Sequence, residues 1–240
     1  MLKAVPVRVM TPDDADWAAR LMAARREIYA VYSPVFWRPR PGVEAQHTAF
    51  LRHQLDSPAT TAVRTDRGFL IAQRRVGVVL IDDFAVDADG RWPTEGRELL
   101  NSAWQLLRER ADATRVVTAM ADEPKSEMLR AAGLKLVEQW WVKPIEPAPT
   151  SEASTPARVS GRGFAGVLGP APPVYDPGGL ILLADEVPDA AELIAVEDDA
   201  ARLGAVLVVL PRPPGHRHEA ALLERGWTVA SQWYHGQPRE

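Results

Sequence analysis

The 240-residue chain contains no cysteine. That excludes disulfides, thiolate metal sites and a cysteine nucleophile. Histidine is scarce, five in all, and only His216 and His218 stand close together. Their segment, beginning Pro211-Arg212-Pro213-Pro214-Gly215, has no acidic or thiolate cluster to complete a ligand set, so no metal is expected. No apolar run is long enough to span a bilayer. Met1-Leu2-Lys3 does not lead into a secretory apolar segment, so the expectation is a cytoplasmic protein with no membrane partner. The formal net charge of −4 speaks against non-specific nucleic-acid binding. What is present, 46% hydrophobic and 25% charged residues, fits a globular protein of one large or two small domains.

Residues 76–110 are the most informative stretch. An apolar run, Val76-Gly77-Val78-Val79-Leu80-Ile81, leads into Asp82-Asp83-Phe84-Ala85-Val86. A polar turn with Arg91-Trp92-Pro93-Thr94 follows, and Gly96 then opens an amphipathic helix carrying Leu99, Leu100, Ala103, Trp104, Leu106 and Leu107. A helix start exposes N–H groups and the positive end of the macrodipole, which suit a phosphate. Gly96 lets an anion approach the backbone, and Arg91 adds a charged donor. A plainer reading makes Gly96 a packing residue and Arg91 a solvated turn residue. On this segment alone the plainer reading is the stronger.

The element order around the turn changes that balance. Arg91-x-x-Thr94-x-Gly96 followed by Leu99-Leu100 resembles the acyl-CoA-binding turn of the GCN5-related N-acetyltransferases, with Thr94 in place of the first glycine. Thr94 is expected to cap the helix, and Glu95 and Glu98 bring negative charge to the anion site. Downstream, residues 114–120 read as a strand and 125–132 as a short helix ended by Gly133. Residues 134–142 read as a further strand. The family's general acid, a tyrosine on that short helix, falls here on Leu129. Upstream, 7–9 reads as a strand, and Thr11-Pro12-Asp13-Asp14 as a helix start. A second helix is expected over 44–55. Strands are expected over 60–63 and 69–73, joined by Asp66-Arg67-Gly68.

The resemblance implies an α/β (α+β) fold with a mixed, mostly antiparallel sheet flanked by helices. It implies acetyl-CoA or another acyl-CoA as cofactor. The pantetheine arm would lie along Phe84, Ala85 and Val86, and the pyrophosphate on the turn that includes Arg91, Thr94, Glu95, Gly96 and Arg97. Asp82 and Asp83 are adjacent on one strand and are expected on opposite faces. One would face the cleft as general base or amine anchor; a solvated or salt-bridged acid is the equal alternative, and Glu138 is a weaker candidate. Substrate contacts are expected from Tyr32, Trp37 and His47. The loop Tyr32-Ser33-Pro34-Val35-Phe36-Trp37 either walls a pocket or plugs the core, and a lone His47 is more often a surface residue.

Residues 144–157 have linker composition, rich in proline, serine and threonine. Beyond them the chain repeats itself. Arg67-Gly68-Phe69 is echoed by Arg162-Gly163-Phe164, and Gln139-Trp140-Trp141 by Gln232-Trp233-Tyr234. Between these lie a strand at 179–183, a helix at 190–203, a strand at 205–210 and a short helix ended by Gly226. The order implies a truncated second copy of the fold, with domains at 1–146 and 158–236 and a linker at 147–157. Its turn, 184–190, carries three acids and no arginine or glycine, so only the first copy is expected to bind a cofactor.

The resulting expectation is an N-acyltransferase moving an acyl group directly to an amine, more in keeping with a small-molecule amine than a protein. The alternative is a binding protein that kept the fold and lost the chemistry. A third reading makes the C-terminal half a dimerisation module and the protein a homodimer.

Overall fold

A computed structural model describes residues 5–107, 113–148, 157–161, 164–186 and 192–237. Two compact units divide the chain. The first comprises Met1–Ile28, Gly42–Val137 and Trp233–Glu240; the second comprises Tyr29–Pro41 and Glu138–Gln232.

The first unit begins with strand β1 (Arg8–Val9), a 3-10 turn (Pro12–Asp14) and helix α1 (Ala15–Tyr32). The Asp14 carboxylate accepts the Thr11 N–H at 3.0 Å and pairs with Arg8 and Arg64. Burial opposes its charge, but these donors hold its pKa down to about 2. Helix α2 (Val43–Leu55) follows, then β2 (Thr60–Arg64), β3 (Gly68–Arg75) and β4 (Val78–Val86). Helix α3 (Arg97–Leu107), β5 (Ala113–Ala119), α4 (Glu123–Ala131) and the first residues of β6 (Lys135–Pro144) complete the order. In the sheet β1, β2, β3, β4 and β5 are consecutive neighbours.

Helices cover both faces of this sheet, which is why β3 is a nearly unbroken apolar run rather than an alternating one. Phe69, Ile71 and Ala85 pack with Ala18, Met22 and Leu51 of α1 and α2. Leu70, Ala72, Ile81, Phe84 and Val86 pack with Leu99, Leu100, Trp104 and Leu129 of α3 and α4. The helical stripe of α3 buries Leu99, Leu100, Ala103, Trp104 and Leu107. Leu106, assigned to that stripe from sequence, is exposed instead.

The second unit contains β7 (Ala157–Gly161), β8 (Phe164–Gly169), β9 (Leu180–Glu186), α5 (Glu192–Arg202), β10 (Ala205–Arg212), α6 (Glu219–Glu224) and most of β11 (Thr228–Gly236). Its order is β11-β6-β10-β9-β8-β7. It repeats the run β2-β3-β4-α3-β5-α4-β6. The hairpins β2/β3/β4 and β7/β8/β9 are antiparallel, while β4/β5 and β9/β10 are parallel. Each copy's short helix leads to a glycine of positive φ, Gly133 and Gly226. Among the described residues this run holds no counterparts of β1, α1 and α2. Residues 149–156 of the linker, Arg162-Gly163 and residues 187–191 lie outside the described residues. Of the acidic turn expected at 184–190, Ala184, Asp185 and Glu186 are instead the end of strand β9.

The division does not follow the contiguous boundaries read from sequence. Residues 29–41 group with the second unit, and Trp233–Glu240 with the first. Tyr234 has no exposed surface and belongs to the first unit's α3/α4 core. A chain ended at residue 146 loses it together with the last residues of β11. We expect that truncated chain not to unfold cooperatively in urea, and Tyr234→Ala in the full chain to lose about 3–5 kcal/mol. Unchanged stability of either would contradict this assignment of the core.

Candidate functional site

The first unit's sheet opens between β4 and β5. Their parallel ladder pairs Val78–Ile81 with Ala113–Val116 and then stops. The cause lies on the other edge of β4. Against β3, Leu70 pairs with Phe84 and Ala72 with Ile81, so β4 holds one extra residue at Asp82-Asp83. Such a bulge bends the strand and breaks the ladder. Backbone groups past the break need other partners. Lys125, on the first turn of α4, supplies one. Its Nζ donates to the carbonyl oxygens of Phe84 at 3.2 Å and Val117 at 3.0 Å. It also lies 5.2 Å from the Phe84 ring and 5.5 Å from the Trp92 ring. Burial pulls its pKa down to about 8, with Arg25 adding to the effect and Asp122, Asp82 and Asp83 opposing it. The sequence reading passed over Lys125. Its signal was helical spacing, because Lys125, Met128, Leu129 and Ala132 recur on one buried face. Leu129, at the position of the family's acid, has no exposed surface and is core.

The bulge also alters the two acids. Ile81 and Phe84, three apart, share the α3/α4 core, so the simple alternation expected for Asp82 and Asp83 does not apply. Asp83 is buried and faces α1 and α2. Its Oδ1 lies 3.3 Å from His47 Nε2 and 3.6 Å from an Arg26 nitrogen. The His47 ring nitrogens Nδ1 and Nε2 lie 3.1 Å and 3.2 Å from the two Arg26 guanidinium nitrogens. Burial alone would raise the Asp83 pKa, but the His47 hydrogen bond and charge, with Arg26, hold it below the ordinary carboxylate value. Asp82 is reached by solvent, yet protein surrounds it closely. Desolvation and the Asp83 charge push its pKa up to about 6. Asp83→Asn removes that like charge, so the Asp82 carboxyl is expected to titrate lower in the variant. A carbon-13 NMR titration reads it directly; an unchanged or higher value would refute the coupling.

The turn before α3 is tighter than the sequence reading drew it. A 3-10 turn (Asp89–Arg91) runs into a π-turn (Trp92–Gly96) and then α3. Arg91 is held by Asp87 at 2.8 Å and Glu95 at 2.7 Å. Glu95 is buried and also accepts from Thr65 Oγ1 at 2.9 Å. The Thr94 hydroxyl donates back to the Arg91 carbonyl at 3.3 Å instead of capping α3. The space that Gly96 leaves open is filled by Trp92, since an added Cβ would lie 2.6 Å from its ring. Trp92 itself is wholly buried against Phe84, with ring centroids 4.9 Å apart. Helix propensity alone would credit Gly96→Ala with about 1 kcal/mol of stabilisation. The clash with Trp92 reverses the sign, and we expect a loss of about 1–3 kcal/mol by chemical denaturation. A stabilised variant would show that the ring yields freely.

Beside this turn is a cavity of about 400 Å³, lined by Asp89, Pro93 and Arg97 and by Pro124, Glu127 and Met128 of the α4 segment. Arg25 ties its two walls, bonding Asp89 at 2.5 Å and Asp122 at 2.6 Å. Phe84, Ala85 and Val86 are fully buried, and Arg97 is half-buried. The structure therefore gathers Asp82, Asp83, His47, Arg91, Glu95 and Arg97 in one unit. Tyr32 and Trp37 are not part of that unit. Both belong to the second unit, where Tyr32 is exposed. Trp37 is buried there, donates to the Ala230 carbonyl at 3.0 Å and packs on Tyr29, Phe36 and Tyr175. Of the two fates open to the aromatic loop, Trp37 takes the core one.

No family model and no curated protein sequence matches the chain. Solved structures do. A protein from Thermoplasma acidophilum assigned as an acetyltransferase superposes with a TM-score of 0.62 at 11% identity, covering 97% of this chain and 100% of that one. The GCN5-related N-acetyltransferase from Sphaerobacter thermophilus gives 0.58 at 14% identity, covering 98% and 96%. The chain has the GCN5-related N-acetyltransferase fold. A Pyrococcus horikoshii protein assigned as an acetyltransferase gives 0.52 at 11% identity over all of this chain and 91% of that one. Each of these superpositions spans nearly the whole of this chain.

Proposed function

We propose that the chain is an acyl-CoA-dependent N-acyltransferase with one cofactor site, in its first unit. The observation that carries this reading is the parting of β4 from β5 at the Asp82-Asp83 bulge, within a GCN5-related acetyltransferase fold. The backbone there fits an extended amide-bearing arm. The Phe84 and Val117 carbonyls face an interrupted ladder, and what bonds them is a side chain rather than a strand. Phe84, Ala85 and Val86 would hold the pantetheine arm, and Arg97 with the 91–97 backbone would hold the phosphates. When bound, acyl-CoA supplies an activated thioester carbonyl.

The chain's own residues supply the rest. Asp82, with its pKa raised towards 6, is ionised at neutral pH yet basic enough to take the proton released by an attacking amine. Asp83 keeps that pKa raised, and Arg26 and His47 keep Asp83 charged. The acceptor is an amine, with a small molecule preferred over a protein.

Two observations favour a second reading, a binding protein of this fold without turnover. Lys125 already fills the gap between the strands, and Leu129 stands where the family's acid is found. Isothermal titration of acetyl-CoA into the full chain tests both readings. The expected result is binding that Arg97→Glu weakens at least about tenfold, about 1.4 kcal/mol. No binding to the wild type would defeat the acyltransferase proposal. Binding without turnover on a panel of amines would favour the second reading.

A further inference from the structure

Lysine is rare in this chain. Of 28 lysine and arginine residues only four are lysines: Lys3, Lys125, Lys135 and Lys143. Lys135 is exposed. Lys143 is partly buried and held by Glu197 at 3.0 Å and the Arg225 carbonyl at 2.7 Å. Lys125 is the one described lysine that is fully enclosed, at 2% exposure. The choice of lysine there is chemically meaningful. A guanidinium stays protonated under all working conditions, whereas a buried ammonium gives up its proton readily and becomes a nucleophile.

We infer that Lys125 is itself an acyl acceptor, a self-acylation site in the gap between β4 and β5. This rests on the proposed function, because the donor is an acyl thioester seated along Phe84, Ala85 and Val86. Lys125 Nζ is hydrogen-bonded to the first of those three carbonyls, so an acyl group brought to that strand end meets an amine already in place. The charged groups around the amine come from three elements. Asp122 precedes α4, Arg25 lies on α1, and Asp82 and Asp83 lie on β4. Burial outweighs the three carboxylates and leaves a pKa of about 8.

The step balances without a further reactant. The neutral Nζ forms a bond to the thioester carbonyl carbon and the C–S bond breaks. The thiol leaves with the proton that Nζ loses, passed through water or the Asp82 carboxylate. The product is an uncharged amide with a single N–H. It serves one of the two carbonyls and releases the other, and it removes the positive charge that faces Asp82, Asp83 and Asp122.

The test uses the full chain and two donors, acetyl-CoA and the small ester 4-nitrophenyl acetate, followed by peptide mass mapping. Lys135 is the internal reference. Lys125 is expected to gain one acetyl group from acetyl-CoA at least tenfold faster than Lys135 at pH 7, where an amine titrating near 8 is roughly two hundredfold more neutral than an ordinary lysine. Its rate should rise only about tenfold between pH 7 and pH 9, against nearly a hundredfold for an amine with the ordinary lysine pKa. Lys125→Arg should abolish the fast site and leave Lys135 unchanged. Fast labelling by the ester but not by acetyl-CoA would uphold the nucleophile and remove the acyl-CoA seat. Labelling of Lys125 no faster than Lys135 with both donors would overturn the inference, while calorimetric binding of acetyl-CoA in the same preparation would leave the proposed function standing.

Discussion

Two backbone carbonyls, those of Phe84 and Val117, face each other where a strand ladder has ended, and one ammonium satisfies both. Much of the first unit follows from that arrangement. Leaving either carbonyl buried and unbonded would cost about 1–3 kcal/mol, a cost that Lys125 removes for both. Helix α4 is held in turn by Met128 and Leu129 in the core and by the ion pair between Arg25 and Asp122 ahead of its first turn. Trp92 is packed near the same ammonium because Gly96 makes room for its ring. The bulge, the turn, the glycine and the helix are thus parts of one solution to a broken ladder.

Charged groups of both signs are crowded together in this region, with two like charges, Asp83 and Asp82, side by side. Arg26 with His47 faces Asp83, Asp82 follows on the strand, Lys125 lies beyond, and Asp122, Arg25 and Asp89 complete the series. Burial moves the carboxyl of Asp82 up and the ammonium of Lys125 down, so both approach the neutral range from opposite sides. Groups displaced in this way by desolvation and specific neighbours are concentrated at functional sites. The pairing around Arg91 points the other way. Its two carboxylate partners leave little positive charge for an anion, and Arg97 is the cation that lines the cavity.

Element order was legible in the sequence because it is written in local patterns. The 3.6-residue stripe of α3, the apolar strands and the glycines after the short helices each name their element without tertiary help. The pairing of Arg91 was within reach of the sequence, since Asp87 and Glu95 stand four residues away on either side, but Arg91 reads there as a phosphate donor or a solvated turn residue instead. Three features were not legible. The opposition of Asp82 and Asp83 assumed a regular pleat, and a one-residue bulge is invisible until the partner strand is known. Gly96 invited an anion on paper, but its open side belongs to Trp92, four residues earlier in an unusual helical turn. The third is the division of the chain. A contiguous boundary is the natural reading of a proline-rich linker, and nothing local reveals that Tyr234 is core to the first unit.

That last feature bears on how the protein is made. The first unit's core is incomplete until Tyr234 has been synthesised, about a hundred residues after β6 begins. At about 5–20 residues per second, the ribosome takes roughly 5–20 s to reach it. For that interval the apolar faces of α3, α4 and β5 lack a side chain that they enclose in the finished protein. The usual advantage of a two-part chain, that the leading part folds while the rest is still being translated, is therefore denied to this one.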